Sequence, residues 1–187
     1  MNYATIKKND VANGPGIRVS LFVSGCRHGC RDCFNREAWD FSYGGVLDGA
    51  VIEDILDACD RPHIAGLSIL GGEPFEPENQ AGLLTLTRRF RERFPDKDVW
   101  CYTGFELDRE LLSGESRART EYTRELLENI DILIDGRFEA DRRDLTLRFR
   151  GSSNQRIIDV RATLAQGDVT RPVLWDETAD TVKFKGE

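Results

Sequence analysis

The stretch IRVSLFVSGCRHGCRDCFN, residues 17–35, sets two patterns back to back. In its first half Ile17, Val19, Leu21 and Val23 fall on alternate positions, the period-two signature of a strand with one buried face. In its second half Cys26, Cys30 and Cys33 lie within eight residues, accompanied by Gly25 and Gly29. A strand that runs straight into a tight cluster of thiols puts reactive groups at its carboxyl end. In a parallel sheet that is the end at which ligands bind.

Working outward, apolar runs alternate with amphipathic ones. VIEDILDAC (51–59) sets Val51, Ile52, Ile55, Leu56 and Cys59 at helical spacing, and GLSIL (66–70) reads as a short buried strand. Residues 79–94 read as a helix that starts near Glu78 or Asn79, buries Leu83, Leu84, Leu86, Phe90 and Phe94, and is stopped by Pro95. DVWCY (98–102) is the next strand. A helical stretch follows, interrupted near Gly114 and resuming through Tyr122, Leu126, Leu127 and Ile130. DILID (131–135) and QRIIDV (155–160) read as further strands. Strand alternating with helix is the mark of parallel α/β architecture. It predicts that the cysteine loop, GGEP (71–74) and TGF (103–105), each following a strand, gather on one rim. After Asp159 the pattern changes, and VTRPVLWDETADTVKF (169–184) reads as two short strands around a turn. The expected organisation is one domain over residues 1–158 and a small extension, a short hairpin, over 159–187.

Composition bounds the function. A net charge of -7 argues against nucleic acid and against a membrane surface as partner. No run approaches the roughly 18 apolar residues of a membrane span, and residues 1–10 are polar, with Lys7 and Lys8 but no apolar segment of a secretory signal. The chain is expected in the cytoplasm, where thiols stay reduced. An odd total of 5 cysteines fits ligands, nucleophiles or core thiols better than a disulfide framework.

Three cysteines with no fourth nearby suit a 4Fe-4S cluster that leaves one iron open, and an open position on a metal marks chemistry rather than scaffolding. A second reading is a zinc-stabilised binding module held by the three cysteines and His28. Cys59 and Cys101 sit in apolar patterns and read as small buried hydrophobes. In GGEP, Gly71 and Gly72 permit close approach of backbone to a ligand, Glu73 offers a carboxylate and Pro74 fixes the turn. The plainer reading of that motif is an ordinary turn before a helix. Arg27, Arg31 and Arg36 surround the cysteines in an otherwise acidic chain, and are expected to stabilise a reduced cluster and to receive an acidic electron carrier.

NGPGIRVSLFVSGCRHGCRDCFN, GLSILGGEPF, YTGF, IDGRF and RGSSNQ occur in this order between about Val11 and Ile158. Together they resemble the radical S-adenosylmethionine superfamily, and within it the glycyl radical enzyme activases that serve anaerobic ribonucleoside-triphosphate reductase. The common superfamily loop has an aromatic residue just before its last cysteine. Here Asp32 stands there and Phe34 follows, as in that subgroup. The resemblance implies an incomplete parallel β/α barrel and a 4Fe-4S cluster on Cys26, Cys30 and Cys33. It implies S-adenosyl-L-methionine on the open iron, cleaved by one electron to methionine and a 5′-deoxyadenosyl radical. It implies that Asp32, Cys33 and Phe34 lie along the adenine, that Gly71, Gly72 and Glu73 meet the methionine ammonium, and that Thr103 and Gly104 meet the ribose or methionine. Arg137 is expected at the methionine carboxylate or in an ordinary surface ion pair. RGSSNQ is expected to cradle a carboxylate, to grip the partner, or simply to form a polar turn. The implied partners are the large subunit of the reductase and an electron donor such as flavodoxin or ferredoxin. A related activase, for example of pyruvate formate-lyase, is the alternative within the same chemistry.

Overall fold

A computed structural model describes residues 1–113, 115–166 and 172–175. In chain order the regular elements are β1 (Asn2–Asp10), β2 (Ile17–Val23), β3 (Gly45–Val46), α1 (Gly49–Cys59), β4 (Ile64–Gly71), α2 (Pro77–Arg93), β5 (Asp98–Tyr102), α3 (Thr123–Glu128), β6 (Ile132–Asp135), β7 (Arg156–Asp159) and α4 (Val160–Ala165). The strands form one open seven-stranded sheet in the order β3-β1-β2-β4-β5-β6-β7. The four central strands β2, β4, β5 and β6 are parallel, so their carboxyl ends share one rim. The outer strands β1 and β7 run antiparallel to their neighbours.

Alternation along the strands sorts the side chains onto two faces. Val19, Leu21, Leu67, Ile69, Val99, Cys101 and Leu133 pack with Ile55 and Leu56 of α1 and Leu83, Leu86 and Phe90 of α2 into the main core. The opposite face carries Trp100, Ile132, Ile134 and Ile157 with Trp175. It also buries Arg18 completely. Arg18 donates to Ser68 Oγ at 2.7 Å and the Leu67 carbonyl at 3.0 Å, pairs with the Asp98 carboxylate at 2.6 Å, and lies over the Trp100 ring. One side chain thus cross-ties β2, β4 and β5, and its charge is matched within the fold.

Local signals account for the element ends. Asp48 caps α1 by accepting from Val51 N at 2.9 Å, and Asp159 caps α4 by accepting from Ala162 N at 2.9 Å. Helix α2 opens at Pro77, two residues before Asn79, because proline at the first helical position gives up no needed donor.

Several elements differ from the sequence reading. β1 and β3 were not anticipated, and α4 (Val160–Ala165) opens the 159–187 extension expected as a short hairpin. QRIIDV does form a strand, β7, but it pairs antiparallel with β6. The helical stretch after β5 resolves into a π-helical turn at Leu107–Leu111 and the short α3. Of the expected hairpin, residues 172–175 lie antiparallel beside β7, with Asp159 N on the Val173 carbonyl at 3.0 Å and Trp175 N on the Ile157 carbonyl at 2.9 Å. Residues 169–171 and 176–184 of that hairpin lie outside the described residues. Among the described residues no helix is long and apolar enough to cross a membrane.

Candidate active site

The rim loops that follow β2, β4, β5 and β6 enclose a cavity of about 380 Å³. Its wall includes Cys26, Cys30, Cys33 and Phe34 from the first loop, Gly71, Gly72 and Glu73 from the second, and Thr103 and Gly104 from the third. The loop after β6 and its return contribute Gly136, Phe138, Arg150 and Gln155. The gathering expected from strand order is therefore present. Of the residues singled out in the sequence, Asp32 and Arg137 are not part of this wall. Asp32 occupies a left-handed turn at φ 58°, which a short acidic side chain tolerates, and its carboxylate faces Arg31 at 3.7 Å and Arg36 at 3.9 Å. Arg137 has an exposed side chain, and its carbonyl accepts from Asn154 Nδ2 at 2.7 Å.

The cysteine loop is held at its start by backbone bonds from Gly25 N to the Ala38 carbonyl at 2.8 Å and from Cys26 N to the Trp39 carbonyl at 3.2 Å. The GGEP loop grips the same segment, with Gly72 N on Val23 O at 2.7 Å and Glu73 N on Gly25 O at 2.8 Å. Both glycines are required by this contact. A Cβ at Gly71 would stand 2.7 Å from Val23 N, and one at Gly72 would stand 2.6 Å from the Gly25 carbonyl oxygen. Gly71 makes room for the end of β2 at Phe22 and Val23, and Gly72 for the start of the cysteine loop at Gly25.

The Asn35 N–H is directed at Cys33 Sγ at 3.5 Å, and the backbone near His28 and Phe138 favours negative charge on Cys26 and Cys30. Such donors stabilise negative charge on sulfur, the environment of cluster thiolates. Burial pushes the Cys26 thiol up to about 12, against the help of the His28 backbone, and raises Cys30 likewise. A pocket that resists free thiolates while aiming donors at them suits sulfur bound to a metal cation. The set fits a cubane, in which each cysteine serves a different iron. Among the described residues no three His, Cys, Asp or Glu side chains group tightly enough to hold one metal ion, and the His28 imidazole is engaged elsewhere.

Two buried carboxylates organise the rim. Glu73, 1% exposed, accepts from Phe75 N at 2.9 Å and Thr103 Oγ at 2.7 Å on one oxygen. On the other it accepts from Gly104 N at 2.7 Å and meets His28 Nε2 at 2.9 Å. A carboxylate has about four acceptor directions, so protein donors already fill them. Glu76, fully buried, accepts from Arg27 N at 2.8 Å and pairs with Arg27 at 2.7 Å and Arg117 at 3.1 Å. Burial alone would raise its carboxyl. The bonds from Arg117 and Arg27 outweigh that and hold it below its ordinary range. Sequence reasoning missed Glu76 and Arg117. An acid directly before the helix-opening Pro77 was the available signal.

The three arginines expected around the cysteines are each ion-paired. Arg27 is matched by Glu76 and Glu78 and stacks on Phe41, and Arg31 pairs with Asp141. Arg36 stands 3.9 Å from Asp32. Each guanidinium has found a carboxylate supplied by the fold, which is the common fate of such groups. RGSSNQ folds on itself and onto the loop after β6. Gln155 Oε1 accepts from Gly151 N at 2.9 Å and Ser152 N at 3.2 Å, while its amide donates to the Gly136 carbonyl at 3.0 Å.

Comparison with known proteins adds to this geometry. Residues 12–158 match the model of the 4Fe-4S single cluster domain family. A protein of Pasteurella multocida named anaerobic ribonucleoside-triphosphate reductase-activating protein is 42% identical over 159 residues, 83% of this chain and 95% of that protein. The protein of the same name from Escherichia coli K12 is 37% identical over 163 residues, 86% of this chain and 100% of its own length. Its namesake from Enterobacteria phage T4 is 35% identical over 159 residues, 84% and 93%.

Proposed function

From the premise that this chain belongs to the family of anaerobic ribonucleoside-triphosphate reductase-activating proteins, with a 4Fe-4S single cluster domain, we propose that it is a radical S-adenosylmethionine enzyme that installs a glycyl radical on such a reductase. One observation carries the reading: three cysteines at the carboxyl end of β2 open onto the same cavity as Gly71, Gly72 and Glu73. When bound, the cluster and S-adenosylmethionine would supply the one-electron chemistry that removes a hydrogen atom from a glycine of the reductase.

The chain's own part is to bind, orient and exclude water. Cys26, Cys30 and Cys33 would hold the 4Fe-4S cluster. Gly71, Gly72 and Glu73 would line the methionyl end, where Glu73, its acceptor directions filled by the protein's own donors, would act on the ammonium only through its charge. Thr103 and Gly104 continue that wall toward the ribose. The turn at Asp32 and Cys33 and the exposed ring of Phe34 stand at the adenine end. Arg137, exposed and outside the wall, would be the candidate to pair with the methionine carboxylate. We read the open sheet, with its four parallel strands, as the incomplete β/α barrel of this enzyme class, with residues 1–158 as the activating domain and 159–187 as an extension. The reductase large subunit presents its glycine at the open side, and an acidic one-electron donor of the flavodoxin or ferredoxin type supplies the electron.

The test is anaerobic reconstitution of the full chain, followed by mixing with the reductase of the same organism, S-adenosylmethionine and a reductant. The expected result is iron and sulfide near four per chain and a glycyl radical doublet in the electron paramagnetic resonance spectrum. Colourless protein with bound zinc, or intact S-adenosylmethionine after reduction, overturns the reading.

A further inference from the structure

The His28 side chain is 2% exposed, although it belongs to a loop whose flanking residues Arg27 and Gly29 are exposed. It is seated in a socket. One wall is Phe105, whose ring meets the imidazole edge-on with centroids 4.5 Å apart. The floor is Gly104, where a Cβ would stand 2.6 Å from both His28 Cδ2 and Nε2. The end is Glu73, 2.9 Å from Nε2. Since that carboxylate oxygen only accepts, Nε2 is the donor. His28 lies midway between Cys26 and Cys30, and the next residue, Gly29, sits in the left-handed region at φ 63° with open space around it. The segment between the first two cysteines is therefore anchored at Arg27 on Glu76 of the second rim loop and at this ring on Glu73 and the third rim loop.

We propose that His28 is a positioning residue for the cluster: its imidazole, locked between Gly104 and Phe105 and bonded to Glu73, fixes the Cys26–Cys30 arc against the rim, and Gly104 is glycine in order to admit that ring. This rests on the reading of Cys26, Cys30 and Cys33 as cluster ligands. The assignment gives Gly104 a role different from contact with a nucleotide, and the two roles separate experimentally.

The experiment uses the reconstituted full chain and two readouts besides activation: the rate at which a chelator strips iron, and the electron paramagnetic resonance line shape of the reduced cluster. Loss of an outer-shell partner typically costs about 10- to 100-fold in metal retention, so His28→Ala is expected to lose iron faster by that factor, with an altered line shape. His28→Gln, whose amide donates to Glu73, restores most of the retention. Gly104→Ala displaces the ring and reproduces the His28→Ala behaviour. In a His28→Ala background Gly104→Ala adds nothing, because the ring it displaces is gone. Equal retention and line shape in His28→Ala and the parent overturn the proposal. So does a Gly104→Ala effect that persists undiminished without the ring. If the parent chain assembles no cluster, the proposed function fails together with it.

Discussion

The two ends of the parallel strands are both held by buried charge, yet they are built to opposite purposes. At the amino end Lys97 donates to the carbonyls of Cys59, Arg61 and Ile64 at 2.7, 2.9 and 2.9 Å. There Asp131, 3% exposed, accepts from Val99 N at 2.7 Å and pairs with Arg91 and Arg161. These charges join backbone to backbone and close the structure. At the carboxyl end Glu73 and Glu76 also bond backbone and side chains, but what they secure are loops arranged around a cavity. The same chemistry, a desolvated charge satisfied by several partners, gives rigidity at one end and a shaped opening at the other.

The difference is sharpened first by removing a sulfur. Cys33→Ser is expected to abolish glycyl radical formation and to lower iron content well below that of the parent, while the urea midpoint of the metal-free chain stays unchanged. A large fall in that midpoint would mean that the rim also carries the fold. The converse change is made at the other end. Asp131→Asn leaves two arginines short of a partner and is expected to cost about 3 kcal/mol of stability, measured by urea unfolding, with iron per folded chain unaltered. A smaller effect is expected at Glu76, where both arginine partners are partly exposed. Glu76→Gln should cost about 1 kcal/mol at neutral pH. The sign of its pH dependence follows from a carboxyl held below its ordinary value of 4.5. The stability it contributes is full above that value and is lost as pH falls through the folded-state value. The gap between parent and Glu76→Gln should therefore close below about pH 4.5. A gap that stays constant into acid would show that the charge on Glu76 is not what holds the loop.

Much of the central fold was legible because four parallel strands and two helices bury continuous apolar faces: IRVSLFV, GLSIL, DVWCY and DILID are each strands at or within two residues of their expected bounds. The edges were not. β1 reads NYATIKKND, with few apolar residues: beyond Asn2 and Tyr3, which pair with the two-residue β3, only β2 covers it, and its side chains are mostly half-buried or exposed. The stretch after β5 has helical spacing, but Gln80 reaches across to the Ala118 carbonyl and to the Thr120 and Thr123 hydroxyls and holds it in a loop. That pinning comes from about 40 positions away in the chain, out of reach of any local pattern. The three thiols and the Gly-Gly-Glu turn were visible as residue types at fixed spacing. The socket for His28 and the saturation of Glu73 were not, since both depend on which loops become neighbours.

The chain's three tryptophans divide between the cavity wall and the sheet face opposite the main core. Trp39 belongs to the cavity wall, whereas Trp100 and Trp175 stack edge to face with centroids 5.7 Å apart on the far side of the sheet. Intrinsic fluorescence therefore contains two separable signals. Dimming of Trp39 by a coloured prosthetic group would follow loading of the site, and a red shift from the stacked pair would follow melting of the sheet, both in a single unlabelled sample.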